Sequence, residues 1–223
     1  MTDRLAVFDL DGTLVDTAPD LSDTTNVVLA AHNMKTVPEE VLRDFIGMGS
    51  RAMIRSALRH VGVPEVSIDI DTIDRDYIEH YSSRIARYSR PFPEIVAALE
   101  LLKAEGVALA VCTNKRESLA RQLLAELGML SDFAALSGGD TFGVSKPDPE
   151  HLLKTIALAG GTAARTVYVG DSRIDYETAR AATVPIVGLS YGYSDVPIRD
   201  LGPDRLCEPG DDIAAAILSL MPN

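Results

Sequence analysis

The sequence predicts an α/β fold: a Rossmann-like parallel sheet with a small all-helical domain inserted after its first strand. Three observations predict it. From residue 94 onward, helical patterns alternate with apolar runs too short for helices, as in strand–helix–strand units. Residues 17 to about 88 carry only helical periodicity. Several of the short runs stop abruptly at polar residues, on the strand edge where open α/β sheets place their ligands. The domains are therefore expected at 1–16 with 89–223, the core, and at 17–88, the helical cap.

The first run, Leu5-Ala6-Val7-Phe8, suits a buried strand and ends in Asp9-Leu10-Asp11-Gly12-Thr13-Leu14-Val15-Asp16-Thr17. In extended chain, residues two apart project to one side, roughly 6–7 Å apart. Asp9 and Asp11 would thus stand together, and paired carboxylates need compensation, most simply by a divalent cation. Gly12 permits dihedrals closed to other residues and a close approach of backbone to ligand. An ordinary Asp-Gly turn is the competing reading of Asp11-Gly12 alone.

Pro19 opens a helix through about His32, with Leu21, Val27, Val28, Leu29 and Ala31 as its apolar stripe. A second helix starts near Pro38-Glu39-Glu40 and runs to Ile46. Gly47-Met48-Gly49-Ser50 reads as a loop with an N-cap at Ser50. Met53, Ile54, Ala57, Leu58 and Val61 form a third helix that Gly62 ends, and 68 to about 87 a fourth. Pro91-Phe92-Pro93 breaks the chain. Then follow helix 94–105, strand 107–112, helix 116–127, strand 133–137, helix 149–159, strand 165–169, helix 174–182, strand 184–189 and helix 211–220.

At the strand ends stand Thr113-Asn114-Lys115, then Lys146-Pro147-Asp148-Pro149 in the loop after the chain's third strand, 133–137, then Gly170-Asp171-Ser172-Arg173-Ile174-Asp175. Each has a plain alternative: Thr113 or Asp171 as a helix cap, Lys146 as a solvated charge, Asp175 as a surface helix residue. Carboxylates, a hydroxyl and an ammonium on one rim fit metal-assisted phosphoryl transfer, which needs positioning and charge neutralisation.

Composition narrows the partners. Of 223 residues, 33 are acidic and 21 basic, a net charge of −12, which disfavours nucleic acid. No run is long and apolar enough to cross a bilayer. The N-terminus lacks signal-peptide layout and the cysteines are two, so a cytoplasmic protein is expected. Neither cysteine begins Cys-x5-Arg, since Ser118 and Ile213 stand at the arginine positions. Gly138 and Gly143 have P-loop spacing but Val144 follows. Asp69, Asp71, Asp74 and Asp76 lack the glycine of an EF-hand and read as the solvated start of a helix.

The four stretches together resemble the signatures of the haloacid dehalogenase-like phosphohydrolases, over nearly the whole chain. Arg90-Pro91-Phe92-Pro93, Thr113-Asn114-Lys115, Gly138-Gly139-Asp140-Thr141-Phe142 and Ser190-Tyr191-Gly192-Tyr193 are most similar to the phosphoglycolate phosphatases. The resemblance implies Asp9 as nucleophile and Asp11 as general acid/base. It implies Mg²⁺ on Asp9, the Asp11 carbonyl and Asp171, with Asp175 orienting that shell. Thr113, the Asn114 amide and Lys146 would hold the phosphoryl group, with Gly12 lining it. The cap loop with Gly47, Ser50 and Arg51 is the candidate for the substrate's carboxylate end, against a plain interhelix turn. The expected partner is a small phosphorylated metabolite, and the state a monomer or homodimer. Another phosphate ester or pyrophosphate as substrate, a sugar-phosphate mutase, and a phospho-ligand sensor remain as alternatives.

Overall fold

The computed structural model describes residues 4–222. The strand β1 (Leu5–Phe8) is wholly buried and lies at the centre of a parallel sheet. Its chain continues through the short β2 (Val15–Asp16) into four helices: α1 (Ala18–Ala31), α2 (Glu39–Arg43), α3 (Ser50–Val61) and α4 (Ile70–Ser82). It returns at β3 (Arg90–Pro91), then alternates α5 (Pro93–Ala104), β4 (Ala108–Cys112), α6 (Glu117–Glu126), β5 (Ala135–Ser137), α7 (Pro149–Leu158), β6 (Thr166–Gly170), α8 (Arg173–Ala181) and β7 (Ile186–Leu189). The short α9 (Ile198–Leu201), β8 (Arg205–Cys207) and α10 (Ile213–Leu220) close the fold.

The sheet order is β5-β4-β1-β6-β7-β8, with every neighbouring pair parallel. A sheet covered on both faces needs strands apolar on both sides, which explains runs such as Leu5–Phe8 that do not alternate. One face packs Ala6, Phe8, Leu109, Val111, Val167 and Val169 into a core continuous with the cap; the other packs Leu5, Val7, Ala110, Cys112, Tyr168 and Ile186. In the register, Phe8 pairs with Val111 and Val169, so Asp9, Thr113 and Asp171 all emerge just past one level of the sheet.

Helices α1–α4 bury Leu29, Met53, Ile54, Leu58, Tyr77 and Tyr81 among themselves and toward the core. Gly62 stops α3 in the left-handed region, as expected. The two crossings between cap and core pair as an antiparallel β2–β3 ribbon, Asp16 opposite Arg90. The buried Asp20 carboxylate accepts from Tyr88 N, Ser89 N and Ser89 Oγ at 2.6–3.0 Å, which ties that ribbon to α1. Among the described residues no helix is long and apolar enough to cross a membrane.

Several element expectations are corrected. Helix α4 ends at Ser82, not near 87, because the chain turns over residues 83–87 and delivers the amides of Tyr88 and Ser89 to Asp20. Ser50 is not an N-cap: Gly49, at φ +88°, takes that position, and Ser50 begins the helix with its hydroxyl turned elsewhere. For Thr113 it is the alternative reading as a cap that falls, since Arg116 takes that position before α6. Asp74 lies buried, against the solvated reading of its acidic run.

Candidate active site

The strand ends meet around a cavity of about 580 Å³ between the sheet rim and the cap. Asp9, Asp11, Thr113, Asn114 and Lys146 line it from the core, and Gly47, Ser50 and Arg51 from the cap.

Lys146 sits at its floor. Its ammonium is buried and lies 2.7 Å from Asp175 Oδ1, 2.9 Å from Asp9 Oδ1 and 3.0 Å from the Tyr168 hydroxyl. Burial alone would lower the pKa of this lysine, but Asp175 and Asp9 raise it, so it stays charged. Asn114 holds the loop that carries it: its Oδ1 accepts from Lys146 N at 2.9 Å, and its Nδ2 donates to the carbonyls of Lys146 and Gly47. Thr113 is buried at the end of β4, its hydroxyl accepting from Lys115 N at 3.2 Å.

Asp175 is fixed by a capping box at the start of α8. Ser172 N and Oγ donate to its Oδ2, and Tyr168 and Lys146 to its Oδ1. Burial disfavours its ionised form, but Lys146 and these hydrogen bonds outweigh that and hold its pKa below the usual carboxylate range. Asp171 accepts from Thr13 Oγ1 and Tyr193 N, both at 2.6 Å. Backbone must come very close to seat it. A Cβ on Gly12, at φ +83°, would lie 2.5 Å from Asp171 Oδ2, and one on Gly192 would also collide with that carboxylate.

Asp9 and Asp171 are less well compensated. Burial pushes Asp9 up to about 7, against Lys146 and assisted by Asp175 and Asp11; burial, Asp175 and Asp9 push Asp171 well above the carboxylate range. Asp9 Oδ1 touches the Lys146 ammonium but has no hydrogen bond of good geometry. One oxygen each from Asp9, Asp171 and Asp175 lies within 4.8 Å of the others. Three carboxylates against one ammonium leave two negative charges when all are ionised. An oxygen-only donor set with an orphaned carboxylate oxygen fits a hard divalent cation, whereas zinc favours nitrogen or sulfur. Asp9 and Asp171 have ligating capacity to spare, while Asp175 already serves four donors.

Asp11 faces away from this cluster. Its Oδ1 accepts from Lys115 Nζ and Thr17 Oγ1, both at 2.7 Å, in a buried contact. Lys115 also lies over the Tyr81 ring of the cap, 4.9 Å from its centroid. Neither Lys115 nor Thr17 stood out as a functional residue in the sequence. The signal was there: a lysine two places beyond a buried strand's polar end has little access to solvent. Arg51 is paired with Asp71 at 2.6 Å and Asp74 at 3.3 Å, and Arg116, also unforeseen, meets Asp74 at 2.9 Å.

Residues 6–189 match the family model of the haloacid dehalogenase-like hydrolases. The chain belongs to that family. Among its relatives, the phosphoglycolate phosphatase of Agrobacterium fabrum is 46% identical over 95% of this chain and 89% of its own length. That of Mesorhizobium japonicum is 42% identical over 97% and 96%. A solved structure from Haemophilus somnus, titled a predicted phosphoglycolate phosphatase, superposes with a TM-score of 0.87 at 30% identity, covering 98% of this chain and 99% of that one. As a haloacid dehalogenase-like hydrolase this chain is a phosphatase, and its mostly parallel α/β sheet is the family's fold.

Proposed function

We propose that the chain hydrolyses 2-phosphoglycolate to glycolate and phosphate through an aspartyl phosphate on Asp9, with Mg²⁺ as cofactor. The observation that carries the reading is Asp9 itself: a buried carboxylate with an oxygen lacking a hydrogen bond, beside Lys146, in the same cavity as a separately held Asp11. The substrate rests on the relatives' names and on two arginines in the cavity wall that suit a carboxylate.

Asp9 attacks phosphorus, and the ester bond to the leaving oxygen breaks. Asp11, oriented by Lys115 and Thr17, gives that oxygen a proton. It then takes a proton from the water that attacks the aspartyl phosphate, which frees phosphate and restores Asp9. Lys146, Thr113 and the Asn114 amide balance charge on the phosphoryl oxygens. Mg²⁺ held by Asp9, Asp171 and the Asp11 carbonyl would supply the remaining positive charge. Asp175 fixes Lys146 and borders the metal site. Gly12 allows Asp171 its place, and Gly47, Ser50 and Arg51 face the rest of the substrate from the cap.

Phosphate release across small phosphate esters with Mg²⁺ tests this. The highest kcat/KM is expected for 2-phosphoglycolate. Faster turnover of pyrophosphate, or isomerisation of a sugar phosphate without free phosphate, would overturn it.

Metal binding should also show in the melting temperature. Asp9 binds a proton in the metal-free fold up to about pH 7, whereas the unfolded chain releases it near the ordinary carboxylate value of about 3.9. The native state therefore holds more protons between these values, and metal-free stability falls as pH rises through that window. Above it the ionised Asp9 and its neighbours repel, and a cation relieves them. Saturating Mg²⁺ is expected to raise Tm more at pH 8 than at pH 5.5, read by thermal denaturation. An equal rise at both would count against these ligands.

A further inference from the structure

Asp74 is 2% exposed, yet it belongs to neither the phosphoryl pocket nor the hydrophobic core. Three elements converge on it. Ser50 Oγ, at the start of α3, donates to its Oδ1 at 2.5 Å. Arg116, from the core just before α6, donates to its Oδ2 at 2.9 Å. Arg51 Nε lies 3.3 Å from the same oxygen, while Arg51 Nη2 reaches the exposed Asp71 at 2.6 Å. Asp74, Arg51 and Arg116 all line the cavity that holds Asp9 and Asp11.

A substrate with its phosphoryl group on Asp9 must direct its other end toward these residues, because the core rim is taken up with phosphorus. Two guanidinium groups in a cavity wall would by themselves attract a second phosphoryl group, which carries about −1.5 to −2 at neutral pH. Asp74 alters that balance. With Asp71 outside, two carboxylates offset two guanidinium groups before any substrate arrives. The arginines still have hydrogen-bond capacity, since each guanidinium carries five N–H donors. A singly charged carboxylate can use those donors without requiring a strong positive field. A second dianion meets the buried Asp74 carboxylate at close range, where water screens little.

We propose that Asp74 is a specificity-determining residue. Its carboxylate makes Ser50, Arg51 and Arg116 an internally neutralised subsite that accepts the neutral or singly charged end of a small phosphate ester and turns away a second phosphoryl group. This rests on the phosphatase reading of the Asp9 site, and the test keeps the two apart.

The test uses three esters built on one two-carbon chain: hydroxyethyl phosphate, 2-phosphoglycolate and ethane-1,2-diyl bisphosphate. The wild type should favour the first two over the bisphosphate. In Asp74→Asn, which keeps an acceptor for Ser50, kcat/KM for the bisphosphate relative to hydroxyethyl phosphate should rise by about tenfold or more, mostly through KM. Arg116→Gln should move that ratio the other way. An unchanged ratio in Asp74→Asn, with all three esters slowed alike, would make Asp74 a packing residue and overturn the proposal. Should Asp74→Asn fail to fold, the half-exposed Arg116 decides: a lowered ratio supports the neutralised subsite and an unchanged one overturns it. Poor turnover of 2-phosphoglycolate alone would strike the proposed substrate and leave the ratio of the other two readable.

Discussion

Asp9→Asn is expected to reduce phosphate release from any ester by about 10⁴-fold or more, the scale seen when a covalent nucleophile is removed. The amide is a poor nucleophile, and nothing nearby replaces it: Asp11 is held by Lys115 and Thr17, and Asp175 by four donors. The same change should stabilise the metal-free protein above pH 7. The sign follows from the raised pKa of Asp9, whose ionised form is disfavoured by burial and by Asp175 and Asp11. A neutral side chain of the same shape removes that repulsion, so activity and stability move in opposite directions. Residual turnover within tenfold of wild type would exclude Asp9 as nucleophile. A lower melting temperature at pH 8 without metal would show that Asp9 is not the strained member of the cluster.

The parts of this site legible in the sequence were those whose surroundings are local. Asp9 and Asp11 follow a buried strand directly, so both could be placed at one cavity, but the spacing did not show that Asp11 turns from Asp9 to Lys115 and Thr17 instead of sharing a cation. Asp171 and Asp175 flank the start of a helix, and the capping box that seats Asp175 is itself a four-residue pattern. Groups whose environment comes from far along the chain were not legible. Asp74 sits among three other aspartates, a pattern that normally marks a solvated first turn. Its burial depends on Ser50 and Arg116, 24 and 42 residues away. Ser50 looked like a cap because Gly-x-Gly-Ser is cap chemistry, but the tertiary partner competes better for its hydroxyl than the helix amides do. Lys115 belongs to a recognised signature, yet its contacts with Asp11 and Tyr81 join the first strand, the second signature and the cap. The edge strand β8 and the β2–β3 ribbon escaped notice for another reason. They are two or three residues long, below the length at which periodicity says anything.

Lys146→Met is the second large effect, and it should act on stability and catalysis together. The side chains are similar in length, so packing is roughly kept while the charge is lost. Asp9 and Asp175 then share a buried site with no cation, and breaking a buried ion pair on one side costs about 3–5 kcal/mol. The pH dependence identifies the cause. In the wild type, Asp175 has a pKa below the ordinary carboxylate value because, against the cost of burial, Lys146 and its hydrogen bonds favour the charged form. That contribution is present above an unfolded value of about 3.9 and is lost as pH falls through the folded one. Without Lys146 the carboxylates bind protons more tightly in the native state than in the unfolded chain. The fall in stability with rising pH that Asp9 already gives the metal-free wild type therefore steepens, and the variant should lose more stability than the wild type as pH rises from 5 to 8. Turnover should fall about 10²–10³-fold even at saturating Mg²⁺, because a fixed donor to the phosphoryl oxygens is gone. Lys146→Arg should recover little, since the larger planar guanidinium must fit where Asp9, Tyr168 and Asp175 already enclose an ammonium. A variant with wild-type turnover, or one whose stability falls no more steeply with pH than that of the wild type, would remove Lys146 from the centre of the charge balance.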